Sequence, residues 1–297
     1  MSRHLKRVLP VSARLVAVLM LFGLSCLAGL LHSVQSLAAA EQDTYTFAVV
    51  PQYPPAAIKR DWGPFIERVS RDAGVALKLQ FYKSIPDFEQ EIHEGIPDFV
   101  YLNPYHAVMA KKAQGYIPLV RDGENQLVGI IVVDKDSDFR SVEDLNGKTI
   151  VFPSPNAFAA SLYMRALLTT QEKIKFTPKY VITHSNVYKH VLAGMAAAGG
   201  GVNKTLENAP QELRDELRII YRTPPVVSHP IAVHPRVPLS VRKAVVNALL
   251  KLNEDAGADG LLKAVGIEKI VRANYERDYG PIERLGLEEY VVRGGDR

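Results

Sequence analysis

Three segments of the chain combine the end of a strand, a tight polar turn and the start of a helix. They are residues 101–106 (YLNPYH), 153–159 (PSPNAFA) and 183–188 (THSNVY). Such turns present unpaired backbone N–H groups and the positive end of a helix dipole, which suit an oxyanion without requiring a Lys or Arg. We therefore predict a small-oxyanion site, whose candidate ligand-binding residues, together with a tyrosine that follows the first strand, are Tyr53, Tyr101, Asn103, Tyr105, His106, Ser154, Asn156, Ala157, Phe158, Ala159, His184, Ser185, Asn186 and Tyr188.

The same residue types also have purely structural roles, and the sequence leaves both interpretations open. Asn103, Ser154 and Ser185 are residue types typical of helix N-caps. His106 would lie in the first turn of a helix, where an exposed histidine is common, and Tyr101 would serve equally well in packing. Three such turns facing one cleft favour the binding interpretation more than any single turn does.

Short apolar strands alternate with amphipathic helices along the chain, a pattern typical of an α/β protein. The first strand is predicted at 45–50, and the helix after it carries apolar residues at i, i+3, i+4 and i+7, namely Trp62, Phe65, Ile66 and Val69.

Helix boundaries are predicted from capping residues. Ser84 should begin a helix that ends at Gly95, and Asn103 followed by Pro104 should begin one that ends at Gly115.

Two connections, a polar one after residue 133 and a Pro-rich one at 223–225, divide the chain into two predicted lobes. One lobe would contain residues 45–133 plus 224–297, and the other residues 134–223. A chain that leaves one α/β lobe, builds a second and returns makes a cleft between them. Clefts of this kind, at strand ends and helix starts, are where α/β proteins bind small molecules.

Residues 1–40 have the layout of a secretory signal peptide. A basic start that contains four cations and no acid precedes an apolar run at 15–31, and the small residues 38–40 (AAA) stand before Glu41. This predicts export to the periplasm with cleavage after Ala40. Two alternatives remain, an uncleaved membrane anchor and a lipid tether at Cys26.

The body from Glu41 onward is electrically neutral and free of cysteine. Removing the four cations of the leader leaves 32 basic and 32 acidic residues, so the net charge of +4 belongs to the leader. These counts exclude disulfide scaffolds, Cys-ligated metals and a Cys nucleophile, and they remove the charge argument for a nucleic-acid partner. No oligomerisation signal occurs, so we expect a monomer without a cofactor.

The chain resembles a known family, the phosphate-, phosphite- and phosphonate-binding proteins of ABC importers (the PhnD-like group). The motifs that carry the resemblance lie in order along the mature chain at 62–65 (WGPF), 98–106 (DFVYLNPYH), 147–150 (GKTI), 187–189 (VYK), 198–202 (AGGGV) and 278–282 (DYGPI). The resemblance implies a two-lobed α/β periplasmic binding protein fold of type II, with two interlobe crossovers and a ligand cleft between the lobes. It also implies that a small oxyanion is captured there and delivered to an ABC permease in the inner membrane.

The chain departs from this family at the predicted anion loop. The family usually reads Asp-Pro-x-Ser-Thr-Ser-Gly there, whereas Ala157, Phe158 and Ala159 stand at the three hydroxyl positions. Each hydrogen bond lost to a charged group costs about 1.5–3 kcal/mol. A family acid also aligns with Ala197, and Asn186 falls where some members carry a Glu. The departures leave open a less charged ligand, or a scaffold whose site has been lost.

Catalysis is not expected, because the sequence lacks the G-x-S-x-G, P-loop and H-E-x-x-H motifs. We interpret residues 199–201 (GGG) as a turn at a strand end. The remaining alternative is a sensory role, in which the same exported fold presents its closed state to a membrane receptor or histidine kinase. No metal site is expected, since metal-ligand spacing is missing from the histidines His93, His106, His184, His190, His229 and His234.

Overall fold

The computed structural model describes residues 43–292. The predicted signal peptide at 1–40 and the proposed tether at Cys26 lie outside the described residues. Residues 44–292 belong to one compact unit. Its strands are β1 (Thr44–Val49), β2 (Ala76–Gln80), β3 (Phe99–Tyr101), β4 (Ile117–Asp122), β5 (Gly129–Asp134), β6 (Thr149–Phe152), β7 (Thr177–Tyr180), β8 (Ala198–Val202), β9 (Leu217–Arg222), β10 (Pro230–Val233) and β11 (Ile270–Arg272).

The α-helices flank these strands, as the alternating pattern predicts. They are α1 (Pro55–Ala73), α2 (Ile85–Glu94), α3 (Pro104–Gln114), α4 (Tyr163–Thr170), α5 (His184–Leu192), α6 (Asn203–Glu207), α7 (Gln211–Arg214), α8 (Leu239–Lys251), α9 (Asp259–Val265) and α10 (Gly280–Glu283). Two π-helical turns occur, Phe158–Leu162, which leads directly into α4, and Tyr275–Tyr279. The 3₁₀ turns are Glu143–Leu145, Leu252–Glu254, Ala256–Ala258 and Leu287–Tyr290.

The strands form two mixed sheets with the same arrangement. The first has the order β11-β4-β10-β3-β1-β2, and the second has the order β7-β6-β8-β5-β9. In each sheet three neighbouring strands are parallel, and the next strand, β10 or β5, is antiparallel to them. This repeated order confirms the predicted α/β fold with two lobes.

Capping residues define helix ends as predicted from the sequence. Asn103 Oδ1 accepts a hydrogen bond from the His106 N–H at 2.7 Å, and α3 ends at Gly115 with a φ of 74°. Ser84 caps α2 by accepting from the Asp87 N–H at 3.3 Å. A left-handed residue costs little when it is glycine, which is why the helix ends there.

One strand lies in the lobe to which we did not assign it. We expected residues 45–133 to stay in the first lobe, but β5 pairs with β8 and β9 in the second sheet. The chain crosses between the sheets at 123–128, before β5, and returns at 223–229, after β9. The polar run after residue 133, which we read as the crossing, starts with a turn at the end of β5. Polarity marks both exposed turns and crossings, so it did not distinguish them.

The two crossing segments pair with each other. Leu127 N–H donates to the Val226 carbonyl at 2.9 Å, and Val226 N–H donates to the Leu127 carbonyl at 3.0 Å. We call segments 123–128 and 223–229 the hinge.

The triple glycine is part of a buried strand, so the predicted turn at 199–201 is wrong. Residues 198–202 form β8 in the middle of the second sheet. A Cβ on Gly200 would meet the Ala160 carbonyl oxygen and the Phe152 ring, and one on Gly201 would meet the Tyr188 hydroxyl. Glycine is therefore required because the helix start and α5 lie directly against this strand.

Candidate functional site

A cavity of about 90 Å³ lies between the two sheets, beside the hinge. By the measure in which one water occupies about 10–15 Å³, it holds about six to nine water-sized groups. We call it the hinge chamber. Its polar side chains come from the first lobe, the hinge and the second lobe, and include Gln52, Tyr53, Asp61, Tyr101, Asp122, Asn125, Gln126, Asn203, Lys204, Thr205, Asn208, Ser228 and His229.

A smaller space of about 10 Å³, which we call the inner gap, adjoins the hinge chamber. The two share the lining residues Val50, Gln52, Leu127, Val202 and His229. The far wall of the inner gap is the start of the π-turn that leads into α4. It is formed by residues 157–160, which carry three methyl groups and one phenyl ring.

Phe158 fills the turn that we predicted to hold an anion. Its side chain is 2% exposed, and its ring lies nearly parallel to those of Tyr105 and Tyr163, with centroids 6.3 and 5.6 Å away. The N-cap residue, Ala157, makes no side-chain hydrogen bond. The helix start thus presents an aromatic ring and no hydroxyl group to the interlobe space.

His229 lies where the chamber meets the inner gap. Its ring stacks on Tyr101 with centroids 5.3 Å apart, and its side chain is 8% exposed. Among residues 43–292, no hydrogen-bond partner faces its buried Nε2. Burial, with smaller effects from His106 and His184, lowers the pKa of His229 to about 3, so the imidazole is neutral near pH 7.

His184 contributes a second neutral imidazole to the inner gap. Its Nδ1 lies 3.2 Å from Thr205 Oγ1, which also lies 2.8 Å from the Tyr188 hydroxyl. Burial lowers the pKa of His184 to about 4. Both histidines therefore supply hydrogen-bonding nitrogens without adding charge.

The charged side chains at the chamber already have partners. Lys204 Nζ lies 3.3 Å from Glu268 Oε1, across the interlobe space, and 3.7 Å from Glu207 Oε2. Asp61 accepts two hydrogen bonds from Arg60, at 2.7 and 2.8 Å. Asp122 is buried and accepts hydrogen bonds from the backbone N–H groups of Glu124, Asn125, Glu268 and Lys269 and from the Asn125 side chain.

A separate set of contacts joins the lobes through the last described residues, 287–292, which we call the strap. The Asn156 Nδ2 donates to the Val292 carbonyl at 2.9 Å and to Glu89 Oε2 at 3.0 Å, and Asn156 Oδ1 accepts from the Val292 N–H at 3.0 Å. Arg165 Nη2 donates to the Tyr290 carbonyl at 2.6 Å. None of these five residues lines the hinge chamber.

Half of the predicted site residues lie together around the interlobe space. Tyr53 and Tyr101 line the hinge chamber, and the inner gap is lined by Asn103, Ala157, Phe158, Ala159 and His184.

The other predicted residues lie elsewhere. Ser154 and Asn156 line a wide groove beside the strap. His106 turns toward α2, where its Nε2 lies 2.8 Å from Glu89 Oε1, because its position on α3 faces that helix. The side chains of Tyr105 and Tyr188 are packed in the core.

Two more predicted residues belong to the first turn of α5. Ser185 is not the cap of that helix, since Thr183 Oγ1 accepts from the Asn186 N–H at 3.2 Å. The Asn186 side chain donates to the Val181 carbonyl at 2.9 Å within the second lobe.

Sequence reasoning missed most of the chamber's polar lining. The missed residues include Gln52, Asn125, Gln126, Asn203, Thr205, Asn208, Ser228 and His229. Asn125, Gln126, Ser228 and His229 lie in the hinge segments. None of the missed residues lies in the predicted crossings themselves, but Ser228 and His229 closely follow the Pro-rich crossing at 223–225, so inspection of its flank could have found these two.

Two similarly ordered α/β sheets, two crossing segments and a ligand-sized chamber between the sheets define a two-lobed ligand-binding protein of the periplasmic type. Residues 47–279 match the family model described as the periplasmic substrate-binding protein of phosphonate ABC transporters. The chain belongs to this family. Its members are periplasmic binding components of transporters and not enzymes, which favours transport over the sensory alternative.

Solved structures share the fold at low sequence identity. PhnD1 of Prochlorococcus marinus, solved with methylphosphonate, is 15% identical with a TM-score of 0.77, over 84% of this chain and 99% of that one. A binding component of an ABC phosphonate transporter from Pseudomonas aeruginosa is 15% identical with a TM-score of 0.75, over 82% and 85%. A Xanthomonas citri protein, solved with chloride or ATP, is 17% identical with a TM-score of 0.63, over 83% and 95%.

No curated protein matches the sequence. Within residues 43–292, no helix is both long and apolar enough to cross a membrane, and no group of three or more His, Cys, Asp or Glu side chains is arranged to hold a metal ion.

Proposed function

We propose that this protein captures a compact phosphonate-type oxyanion in the hinge chamber and delivers it to the permease of an ABC importer. The observation that carries the proposal is the buried Nε2 of His229, which has no partner among the described residues and borders the chamber. An unpartnered buried polar atom is costly, so a ligand oxygen that pairs with it gains the full hydrogen bond.

The charges around the chamber favour a ligand of low charge. Both histidines are neutral, and among the described residues Lys204 is the one Lys or Arg that lines the chamber. That ammonium already has two carboxylate neighbours. A dianion would lose its hydration without gaining a free cation, so we expect a monoanion to bind more tightly than a dianion.

Ligand binding would favour the closed arrangement of the lobes. The chamber is lined from the first lobe by Tyr101 and from the second by Asn203. A ligand that contacts both residues therefore stabilises the closed form and not the open one. The hinge segments would supply the rotation, since each is a short connection between the sheets.

We further propose that residues 1–40 direct export, with cleavage after Ala40, and that the mature protein is a monomer. The basic start, apolar run and small residues before Glu41 support the export signal. Mass spectrometry of protein recovered from the periplasm should give a chain that begins at Glu41. Light scattering should give the mass of one chain, and a retained leader or a dimer mass would contradict these proposals.

Calorimetry on the purified protein tests the ligand site. Methylphosphonate, phosphite and phosphate should be titrated into the native protein and into His229→Ala. We expect methylphosphonate to bind, and the variant to lose at least 10-fold in affinity because its Nε2 is removed.

His93→Ala serves as the matched control, because His93 is exposed on α2 and lies outside the hinge chamber. Its affinity should equal that of the native protein. If none of the three oxyanions binds, or if His229→Ala binds methylphosphonate with the native affinity, the proposed site is refuted.

A further inference from the structure

We propose that Phe158 sets the size and orientation of the ligand, so that the polar head lies in the hinge chamber and a methyl-sized apolar substituent enters the inner gap against the phenyl ring. This inference rests on the proposed function, since it concerns the same site.

Eight of the twelve residues that line the inner gap are apolar. Besides residues 157–160, these are Val50, Ile85, Leu127 and Val202. A charged head group placed there would lose its hydration against carbon atoms, which is strongly unfavourable, whereas an alkyl group gains from the same surroundings.

The polar side chains at the inner gap direct the head group toward the chamber. Asn103 Oδ1 already accepts a hydrogen bond from the His106 N–H, and Asn103 Nδ2 donates to the Asn156 carbonyl at 3.4 Å. His184 Nδ1 already has a hydrogen-bond partner, Thr205 Oγ1. The other two polar residues, Gln52 and His229, also line the chamber. They mark the junction at which a polar head and an apolar substituent would separate.

The wall opposite the chamber cannot retreat to accept a longer substituent. The Ala159 carbonyl lies against Gly129, and the Ala160 carbonyl lies against Gly200, so closely that a Cβ on either glycine would clash. Phe158 is in turn held between two aromatic rings. Because packed interiors resist added volume, a gap of about 10 Å³ should admit one methyl-sized group and no more.

The experiment is a series of alkylphosphonates of increasing length. Methyl-, ethyl- and n-propylphosphonate should be titrated calorimetrically into the native protein, Phe158→Ala and Phe158→Leu. We expect the native protein to bind methylphosphonate at least 10-fold more tightly than propylphosphonate. In Phe158→Ala the preference should vanish or reverse, and Phe158→Leu should reduce it in part.

Phe152→Leu is the matched control. Phe152 is a fully buried phenylalanine of the same lobe that does not line the inner gap. Its variant should keep the native order of affinities. Should Phe158→Ala fail to fold, as judged by circular dichroism, Phe158→Leu decides alone.

The possible failures are distinguishable. If the native protein binds neither the alkylphosphonates nor phosphite and phosphate, the proposed function itself is refuted. If it binds only phosphite or phosphate, binds the three alkylphosphonates with equal affinity, or keeps its preference in the Phe158 variants, the proposed function stands and the role of Phe158 is refuted. If Phe152→Leu also loses the preference for methylphosphonate, the role of Phe158 is refuted, because the loss would then reflect a general effect on packing.

Discussion

The contact between Asn156 and the strap should control how firmly the C-terminal residues hold the lobes together. Asn156 is buried in the second lobe, and its side chain makes three hydrogen bonds, two with the Val292 backbone and one with Glu89 of the first lobe. Lys112 on α3 lies 3.3 Å from Glu288, which ties the strap to the first lobe. Asn156 therefore joins the strap to the other lobe.

The effect of Asn156→Ala can be worked out from these bonds. A neutral hydrogen bond contributes about 1 kcal/mol, so the two bonds to the Val292 backbone contribute about 2 kcal/mol to holding the strap. The third bond joins Asn156 to Glu89, which lies outside the strap and retains His106 as a partner. A loss of about 2 kcal/mol corresponds to a roughly 30-fold increase in the open population of the strap.

Hydrogen exchange measured by mass spectrometry checks this prediction. The peptide that contains residues 287–292 should exchange about 30-fold faster in Asn156→Ala than in the native protein, because the Val292 N–H loses its acceptor. Asn186→Ala is the matched control, since it loses a 2.9 Å bond within the second lobe and leaves the strap untouched. An increase of less than about 5-fold in Asn156→Ala would refute the reasoning.

Two further predictions concern stability. Because the pKa values of His184 and His229 are lowered from about 6.5 to about 4 and about 3, the unfolded chain binds protons below pH 6.5 while the folded chain does not. Stability is therefore full above about pH 6.5 and falls on acidification, by about 2 kcal/mol per histidine at pH 5. Urea unfolding at about pH 7.5 and about pH 5 should show this loss. In His229→Gln the difference in stability between the two pH values should be about half that of the native protein. A stability that does not depend on pH would contradict the assignment. Ile182 has a φ of 74° and is 61% exposed, so Ile182→Gly should raise the free energy of unfolding by about 0.5–1 kcal/mol. Ile96→Gly, at an exposed isoleucine without positive φ, should give no such gain, and equal effects would argue against strain at Ile182.

The local elements of this protein follow from short stretches of sequence. Asn103 before Pro104 begins a helix, and Gly95 and Gly115 end helices, because capping and left-handed backbone depend on neighbouring residues. The apolar spacing of α1 predicts its buried face for the same reason. The neutral charge of the body and its lack of cysteine need no structure at all.

The placement of β5 and the packing of Phe158 depended on the tertiary structure. A strand of apolar residues pairs equally well in either lobe until the crossing point is known, and β5 joins β8 and β9 because the chain crosses before it. From the sequence alone, an aromatic residue in a polar turn could either contact a ligand or pack against neighbouring side chains. The stacking with Tyr105 and Tyr163 decided that Phe158 closes the helix start.

The hinge chamber was likewise decided by the tertiary structure. Its polar walls come from segments as distant in sequence as Gln52, Asn125, Asn203 and His229. No local pattern relates them, because only the folding of two sheets onto one hinge brings them within reach of a single ligand. The sequence by itself determined most of the elements, the neutral body and the family resemblance, while the chamber between the lobes arose from long-range packing.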